Sequence, residues 1–299
     1  MKSVLLTGGT GLIGKEALLP LRERGFEVFA LKRPNSVPPG GCGEENVRWL
    51  DGDLFNPADV ARVCEAAHAE YLLHFAWCTR DDYLTSNRNF DYLAASLGLL
   101  ENFAAQGGRR AVCAGTCFEY AFAEKPLPEN APLDPTTPYA HCKCHLRELC
   151  ELFAAQNRLE FAWGRIFFVF GRGEHAKRLG GKLVANFRRG EPVFIPPVPL
   201  TRDYIYTKDI AGAFAALTDS AVTGGVNIGT GKPVTLRDFA LAFARELHAE
   251  HLLREDPQMD VSRQPPLIAA DNRRLREEVG YSMRYDLESA VRDIVASTY

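Results

Sequence analysis

A glycine-rich loop close to the start of the chain constrains the fold more than any other feature of the sequence. The apolar run from Ser3 to Thr7, typical of a short buried strand, leads into this loop, and a helical pattern follows to about Glu23. Glycines in this setting allow a tight turn and a close backbone approach, and they leave free N–H groups at a helix N-terminus. The pattern predicts a site for the pyrophosphate of a dinucleotide, formed by Gly8, Thr10, Gly11, Leu12, Ile13 and Gly14.

Further apolar runs predict strands, and helical patterns, such as the one from about Phe90 to Ala105, separate them. Strands that alternate with helices through about Arg165 indicate an α/β fold with a doubly wound parallel sheet of the Rossmann type. Ligands of such sheets bind at the carboxyl ends of the strands. The further strands are predicted at Glu27 to Leu31, Val47 to Leu50, Tyr71 to Ala76 and Arg110 to Ala114.

Two cationic residues, Lys32 and Arg33, follow the second predicted strand. A carboxylate at this position binds the adenosine ribose hydroxyls of NAD, whereas a cationic pair suits the ribose 2′-phosphate of NADP. The sequence therefore favours NADP, with NAD as the alternative cofactor. Two solvated loop charges are the other interpretation of this pair.

The next strand ends offer further contacts to a dinucleotide. Asp53, followed by Leu54, can accept a hydrogen bond from an adenine amino group, although a turn aspartate is an equally good interpretation. Ala76 is small enough to let a cofactor backbone pass. We interpret His74, inside the fourth strand, as a packed core histidine.

A predicted helix that begins at Pro138 carries the candidate acid. Proline suits the first helical position, Thr137 can cap the helix, and Tyr139 and Lys143 stand four apart on one face. The positive charge of the lysine should lower the pKa of the tyrosine, so that Tyr139 can exchange a proton with an alcohol oxygen. By itself, the pair also fits a surface tyrosine beside a solvated lysine.

The composition argues against several classes of function. The chain has 299 residues, 46% of them hydrophobic, and a formal net charge of -3, without the basic excess of a general nucleic-acid binder. There is no apolar run that approaches a membrane span and no recognisable signal peptide, so the expected location is cytoplasmic. The eight cysteines have no metal-binding spacing, and we expect no metal site and reduced thiols at Cys42, Cys64, Cys78, Cys113, Cys117, Cys142, Cys144 and Cys150.

Taken together, several motifs resemble the extended short-chain dehydrogenase/reductase family, which holds sugar-nucleotide epimerases, dehydratases and reductases. The resemblance covers nearly the whole chain, and the motifs jointly are far more specific than any one of them. They are the glycine loop at residues 8–14, Asp53-Leu54, Thr116 four residues before Tyr120, Tyr139-x-x-x-Lys143, Arg202-Asp203-Tyr204-Ile205 with Asp209, and Asn227-Ile228-Gly229.

The resemblance implies a role for each residue of the candidate catalytic set. Tyr139 would be the acid or base, Lys143 would lower its pKa and hold the nicotinamide ribose, and Thr116 would hydrogen-bond the reacting oxygen. For Thr116, a simple strand-end turn is the alternative.

The resemblance also implies that Arg202 meets the pyrophosphate of a sugar-nucleotide substrate, where a guanidinium can bind two oxygens at once. A structural ion pair of Arg202 with Asp203 or Asp209 is the alternative.

By resemblance, the chain divides into two domains and forms a homodimer. The expected dinucleotide-binding domain is 1–165 with a return segment near 203–227, and 166–299 should mainly form a smaller substrate domain. Terminal helices are predicted at 271–280 and 287–294. The helices that start near Phe90 and Tyr139 are the candidates for the dimer interface.

Departures from the family pattern narrow the reaction. Family 4,6-dehydratases carry an Asp-Glu pair after the threonine, where this chain has Cys117 and Phe118, and phenylalanine cannot act as an acid or a base. Because the cationic pair at Lys32 favours NADPH, a consumed reductant, the leading hypothesis is reduction of a 4-keto sugar nucleotide. The alternatives are an NAD(P)-dependent 4-epimerase, a non-catalytic NADP-binding sensor, and a reductase of a small non-nucleotide carbonyl compound.

Cys117 and His175 raise a variant of this hypothesis. A thiol and an imidazole beside the sugar can move protons α to the ketone, as in the fucose-nucleotide synthases of the family. Their cysteine matches Phe118 here, however, and we favour a packed thiol and a loop histidine. Phe168 is a further departure, because many members have an asparagine there, near the substrate phosphates.

Overall fold

The computed structural model describes residues 2–40, 47–79 and 82–296. The strands, in chain order, are β1 (Lys2–Thr7), β2 (Phe26–Lys32), β3 (Val47–Asp51), β4 (Tyr71–His74), β5 (Arg110–Thr116), β6 (Glu160–Ile166), β7 (Phe168–Phe170), β8 (Val193–Ile195), β9 (Thr201–Arg202), β10 (Tyr204–Tyr206), β11 (Gly224–Ile228), β12 (Val234–Thr235), β13 (Leu253–Glu255) and β14 (Leu267–Ile268). The α-helices are α1 (Gly14–Glu23), α2 (Pro57–Ala67), α3 (Arg88–Ala105), α4 (Pro138–Asn157), α5 (Leu179–Arg188), α6 (Thr207–Asp219), α7 (Leu236–Glu246), α8 (Arg273–Glu277) and α9 (Leu287–Ala296).

Seven strands form one parallel sheet in the order β3-β2-β1-β4-β5-β6-β11. The strand order reverses between β1 and β4, and in such sheets the crevice at this point is where ligands bind. The predicted α/β fold with a doubly wound parallel sheet is therefore confirmed.

Helices cover both faces of the sheet, because successive side chains of each strand point to opposite sides. Leu6 packs in one core with Phe214 of α6. The adjacent residue, Leu5, packs in a different core with Phe103 of α3 and Leu146 of α4. Burial on both faces explains why the strands are nearly continuous apolar runs in the sequence.

A further core lies in the C-terminal half of the chain. Phe187 of α5, Phe243 of α7 and Val291 of α9 belong to it, and we call it the C-terminal core. Short strand pairs lie in the same half: β7 with β10, β8 with β13, and β9 between β12 and β14. Within residues 203–227, α6 packs against α1, and β11 pairs with β6. This segment therefore returns to the main sheet.

Two elements are shorter than predicted. The fourth strand ends at His74 rather than Ala76, since the N–H of Ala76 lies 3.3 Å from Thr7 Oγ1, a side-chain acceptor. The helix predicted at 271–280 is confined to α8, because the N–H of Asp271 donates to the carbonyl of Leu127 in a neighbouring loop.

The cysteines of the described residues form no disulfide, whereas Cys42 lies outside those residues. None of the helices in the described part of the chain combines the length and the apolar character that a membrane span requires.

The carboxylate of Asp209, in the first turn of α6, anchors the segment that leads into α9. It accepts hydrogen bonds from the hydroxyl of Tyr281 at 2.8 Å and from the backbone N–H groups of Arg284 at 2.8 Å and Tyr285 at 3.1 Å. Asp209 is buried, so these three donors are satisfied by one protein group rather than by water.

The substitution Asp209→Ala should lower the free energy of unfolding by about 3 kcal/mol, because it leaves three donors without their acceptor. Urea denaturation of the purified protein measures this change. The control is Asp260→Ala, at an exposed carboxylate that caps only its own turn at Ser262 and should change stability by less than about 0.5 kcal/mol. Equal stability of the two variants would contradict the anchoring role.

Candidate active site

A cavity of about 610 Å³ lies at the carboxyl ends of β1, β4 and β5 and reaches residues of the C-terminal core. Five residues predicted from the sequence lie outside its wall: Thr10, Lys32, Arg33, Asp53 and Leu54. The wall brings together the other predicted site residues, which are Gly8, Gly11, Leu12, Ile13, Gly14, Ala76, Thr116, Cys117, Tyr139, Lys143, His175 and Arg202.

The glycine loop is folded so tightly that two positions exclude any side chain. Gly8 has a φ of +74°, and a Cβ there would lie 2.9 Å from the backbone nitrogen of Ala76. A Cβ at Gly14 would lie 2.1 Å from the carbonyl oxygen of Gly8. The resulting cradle opens at the N-terminus of α1 and fits the pyrophosphate of a dinucleotide.

His74 is a core histidine, as predicted. Its Nδ1 lies 2.6 Å from Thr7 Oγ1 and its Nε2 lies 2.8 Å from Ser96 Oγ. Burial, with a smaller contribution from the charge of Lys143, lowers its pKa to about 3. The imidazole is therefore neutral and joins the ends of β1 and β4 by hydrogen bonding.

Tyr139 lies at the start of α4, inside the cavity. Thr137 caps this helix, since its hydroxyl accepts the N–H of Ala140 at 3.2 Å, as the sequence predicted. Thr116 and Tyr139 both line the cavity, and the ring centroid of Tyr139 lies 5.0 Å from that of Tyr83. Burial raises the pKa of Tyr139 well above its ordinary value, and the neighbouring side chain of Thr116 opposes this shift only in part.

Lys143 is buried one helical turn after Tyr139, with 3% of its surface exposed. Its Nζ donates to the carbonyl oxygen of Ala114 at 2.8 Å and lies 3.6 Å from the ring centroid of Trp77. Burial lowers the pKa of Lys143 to about 7. The pKa of Tyr139 is thus raised overall and not lowered as expected, because burial outweighs any stabilisation of the phenolate by a nearby charge, and the ammonium is directed at a carbonyl and an indole.

Thr116 is the last residue of β5. It forms the strand-end turn that the sequence offered as one interpretation, and it also lies in the cavity, as its candidate catalytic role requires. Its hydroxyl accepts the N–H of Phe118 at 3.3 Å, which makes it the cap of the short 3₁₀ turn Cys117–Glu119, and its side chain lies beside Tyr139 in the cavity wall. Glu119 completes the cap, since its carboxylate accepts the N–H of Thr116 at 2.9 Å. The turn therefore fixes the threonine beside the phenol.

Glu119 is fully buried and takes its further partners from β6. The indole of Trp163 donates to Oε1 at 2.9 Å, and Nε of Arg165 donates to Oε2 at 2.6 Å. Arg165 also donates to the hydroxyl of Tyr120 at 3.0 Å, and that hydroxyl donates to Asn227 at 2.7 Å. A buried hydrogen-bonded network thus supports the floor of the cavity.

Arg202 lines the cavity and has no carboxylate partner within residues 2–40, 47–79 and 82–296, so its ion pair with Asp203 or Asp209 is excluded. It donates to the carbonyl oxygen of Thr201 at 2.8 Å, and its guanidinium lies 5.5 Å from the ring centroid of Phe168. Asp203 instead accepts hydrogen bonds from Thr230, and Asp209 accepts those of the anchor described above. Burial lowers the pKa of Arg202. A buried guanidinium that lacks a counter-charge suits an anionic ligand.

Cys117 and His175 both line the cavity. Burial raises the pKa of the Cys117 thiol far above its ordinary value, and the carboxylates of Asp203 and Glu119 add to this shift. A thiol in this environment stays protonated, in agreement with the packed thiol that the sequence favoured. His175 lies in the loop between β7 and α5, where its Nδ1 accepts the N–H of Lys177 at 3.3 Å.

The residues outside the cavity lie at the ends of β2 and β3, apart from Thr10, which is exposed in the glycine loop. Lys32 pairs with Asp51, its partner in the strand register, while Arg33 is exposed. Asp53 accepts the N–H of Phe55 at 3.1 Å, so it is a turn aspartate whether or not it also contacts adenine. Leu54 is buried.

The sequence-based prediction missed several residues of this site. Glu119 had a recognisable pattern, because Thr116-x-x-Glu119 is a capping box. Trp77, Tyr83 and Glu174 had none, since they lie on connecting segments whose approach to the cavity depends on the tertiary fold.

The buried lysine gives stability a pH dependence. With a folded-state pKa of about 7 against 10.5 in the unfolded chain, Lys143 binds a proton in the unfolded state but not in the folded state across this window. The free energy of unfolding should therefore rise with pH between these values. We expect Lys143→Met to be more stable than the wild type at neutral pH by about 2 kcal/mol, and the difference to shrink as the pH approaches the unfolded pKa.

Urea denaturation across this pH range measures the effect. The control is Lys182→Met, at an exposed position of α5, whose stability curve should run parallel to that of the wild type. If the free energy of unfolding of Lys143→Met also runs parallel to that of the wild type across this pH range, burial does not destabilise the ammonium form of Lys143.

Comparisons with known proteins agree with this geometry. The model of the NAD-dependent epimerase/dehydratase family matches residues 4–229. The dTDP-6-deoxy-L-talose 4-dehydrogenase (NAD(+)) of Aggregatibacter actinomycetemcomitans is 24% identical over 265 residues, which cover 87% of this chain and 94% of that protein. UDP-glucose 4-epimerase 3 of Oryza sativa subsp. japonica is 27% identical over 333 residues, covering 97% and 88%.

Among solved structures, the UDP-glucose 4-epimerase of Thermotoga maritima with UDP-glucose matches with a TM-score of 0.86 at 21% identity, covering 98% of this chain and 97% of that one. This likeness concerns the fold alone. Because the family model spans most of the chain, the protein belongs to the NAD-dependent epimerase/dehydratase family, of the extended short-chain dehydrogenase/reductase type that its motifs resemble.

Proposed function

We propose that the protein reduces the 4-keto group of a sugar nucleotide, with NADPH as the reductant. The observation that carries the proposal is the convergence of Tyr139, Thr116 and Lys143 on one cavity that also contains the glycine loop. A phenol beside a hydroxyl at a dinucleotide site is suited to protonate a carbonyl oxygen.

Tyr139 would supply the proton. Burial keeps its phenol neutral at physiological pH, which is the form that can donate to the C4 oxygen as this oxygen gains negative charge. The hydroxyl of Thr116 would donate a second hydrogen bond to the same oxygen. Lys143, one turn further along α4, would stabilise the phenolate that remains after proton transfer.

The glycine loop and the strand ends would hold the dinucleotide, and the C-terminal core would form the floor for the sugar nucleotide. NADPH, when bound, supplies the hydride that reaches C4. Lys32 and Arg33 would contact the ribose 2′-phosphate, Asp53 and Leu54 the adenine, and Ala76 would leave room for the cofactor backbone. Arg202, buried and without a counter-charge, would bind the substrate diphosphate.

Two observations favour a reductase within this family. The cationic residues at the end of β2 suit NADPH, which is consumed. One relative, matched over 94% of its length, is a dTDP-6-deoxy-L-talose 4-dehydrogenase, and the reverse of a 4-dehydrogenation is a 4-keto reduction. Dehydration has no support, because Phe118 offers no acid or base and Cys117 stays protonated.

A 4-epimerase that retains NAD is the second candidate. Lys32 pairs with Asp51, which offsets part of the positive charge that would attract a 2′-phosphate. The names of the relatives include UDP-glucose 4-epimerases, and that of the 4-dehydrogenase specifies NAD(+). An epimerase would interconvert two sugar nucleotides without net oxidation of either cofactor.

The remaining alternatives have less support. A non-catalytic sensor would not need Thr116, Tyr139 and Lys143 to converge in the cavity. A reductase of a small carbonyl compound would not need the buried guanidinium of Arg202, which donates to a backbone carbonyl and has no carboxylate partner in the described part of the chain.

We also propose that the protein forms a homodimer through α3 and α4. These helices pack side by side and expose large apolar side chains, namely Phe90, Leu149 and Leu152. Exposed apolar groups on adjacent helices suit contact with a second copy of the chain.

Replacement of Tyr139 by phenylalanine tests the proton donor. We expect kcat to fall about a thousandfold, because the phenol hydroxyl is the proposed acid, while the Kd of NADPH stays unchanged. Stopped-flow absorbance of NADPH measures turnover. Tyr71→Phe, in the core at the start of β4, is the matched control and should retain full activity. Intact turnover by Tyr139→Phe would refute the mechanism.

Replacement of Arg33 by alanine tests the cofactor preference. We expect the KM of NADPH to rise about tenfold through loss of a charge-assisted contact to the 2′-phosphate, while the KM of NADH hardly changes. The control is Arg48→Ala, an exposed arginine on the neighbouring β3 that pairs with Glu27. Equal changes for the two cofactors would contradict a 2′-phosphate contact.

The assay that identifies the reaction follows NADPH and NADH oxidation with 4-keto-6-deoxy sugars on GDP, CDP, dTDP and UDP. Oxidation of NADPH with one of these compounds would support the reductase and identify the nucleotide. Interconversion of sugar nucleotides without oxidation would support the epimerase instead.

A further inference from the structure

The cavity contains a buried carboxylate, that of Glu174, which takes no part in the proposed binding of the cofactor or in the proposed proton transfer from Tyr139. Glu174 lies between β7 and α5, is 8% exposed and lines the cavity. Its Oε2 has no hydrogen-bond partner among the described residues. A buried acceptor without a donor is unfavourable, so a donor from a ligand would stabilise the site.

The surrounding backbone leaves space for this carboxylate. A Cβ at Gly180 would lie 2.4 Å from Glu174 Oε2, so a side chain there would displace the carboxylate. Burial raises the pKa of Glu174 to about 7, against the opposing effects of the Arg178 guanidinium and of backbone hydrogen bonds at Gly181 and Gly171. The carboxyl group at the cavity wall is therefore present in both its ionised and its protonated form near neutral pH.

A series of contacts links Glu174 to the candidate acid. Arg178, whose charge acts on Glu174, lies with its guanidinium 5.3 Å from the ring centroid of Tyr83. The Tyr83 ring in turn packs edge-on against Tyr139 at 5.0 Å. Glu174 and Tyr139 both line the cavity.

A second series of contacts links Glu174 to Arg202, the candidate ligand of the diphosphate. Its charge contributes to the raised pKa of Tyr204, and the Tyr204 ring lies 5.9 Å from that of Phe168. Arg202 stacks on the same Phe168 ring at 5.5 Å. In a pyranose with its carbonyl at C4 and its diphosphate at C1, the hydroxyls between the two ends are those on C2 and C3.

We propose that Glu174 accepts a hydrogen bond from the C2 or C3 hydroxyl of the bound sugar and so determines which sugar nucleotides the protein accepts. The inference rests on the proposed function, since it requires a sugar between Tyr139 and Arg202. A buried carboxylate selects against sugars that lack the hydroxyl, because its oxygen would then stay unpaired, and against anionic groups at that carbon.

The test measures binding rather than turnover, so that it does not depend on the direction of the reaction. Isothermal titration calorimetry with saturating NADP⁺ compares glucose nucleotides of GDP, CDP, dTDP and UDP, their 2-deoxy and 3-deoxy analogues, and the free nucleoside diphosphates. The variants are Glu174→Gln, which keeps the shape, and Glu174→Ala. Glu191→Gln is the matched control, at an exposed glutamate that pairs with Arg189. Thermal denaturation checks that each variant is folded.

In the wild type, removal of one of the two hydroxyls should raise Kd about tenfold. Both Glu174 variants should raise the Kd of the hydroxylated sugar by a similar factor, abolish the penalty for the deoxy analogue and leave the free diphosphates unaffected. Glu191→Gln should behave as the wild type.

Two other results would overturn the proposal in different ways. The first is that, in folded Glu174 variants, the Kd of the deoxy analogue stays higher than that of the hydroxylated sugar, or that the substitution changes only the binding of NADP⁺. Either observation would contradict the role of Glu174 without contradicting the proposed function. Failure of the wild type to bind any of the sugar nucleotides would overturn the proposed function, and the role of Glu174 with it.

Discussion

The buried carboxylate of Glu119 is the interaction on which the rest of the site depends. It joins the turn after β5 to two donors on β6, so the end of one strand is fixed by its neighbour. Loss of this carboxylate would leave the guanidinium of Arg165 buried without a counter-charge, which is strongly unfavourable. The position of Thr116 beside Tyr139 follows from the same contact. The candidate catalytic pair is therefore built on a structural ion pair whose two members, Glu119 and Arg165, do not line the cavity.

The fold was predictable from the sequence because it follows from local patterns. Alternation of apolar runs with helical patterns is enough to indicate a doubly wound sheet, and the parallel direction of its strands places all carboxyl ends at one edge. Gly8 and Gly14 were predictable for the same reason. Glycine is required at both positions because the backbone of the first strand–loop–helix unit, or of the adjacent strand end, passes too close for a side chain. Tyr139 was predictable from helical spacing and a cap.

The rest of the site depends on contacts between segments distant in sequence. The ion pair of Lys32 with Asp51 requires the register of β2 against β3, which no local pattern specifies. Trp77 reaches Lys143 from the segment after β4, and this contact, with the Ala114 carbonyl, directs the ammonium. The spacing of tyrosine and lysine thus predicts their common face but not their electrostatics, because desolvation by the whole fold outweighs the interaction between two neighbours on a helix.

The cavity gathers charged groups whose partners within the protein are incomplete. Lys143 donates to a neutral carbonyl, Arg202 has no carboxylate partner, and one oxygen of Glu174 has no donor among the described residues. Each arrangement is unfavourable for the protein alone, since a buried charge is stable only when it is paired and hydrogen-bonded. A ligand with a hydroxyl-bearing sugar, a diphosphate and a dinucleotide beside it would satisfy all three. If the proposed ligands bind here, stability lost at these positions would be a source of affinity, because binding would remove the penalty that folding leaves in place.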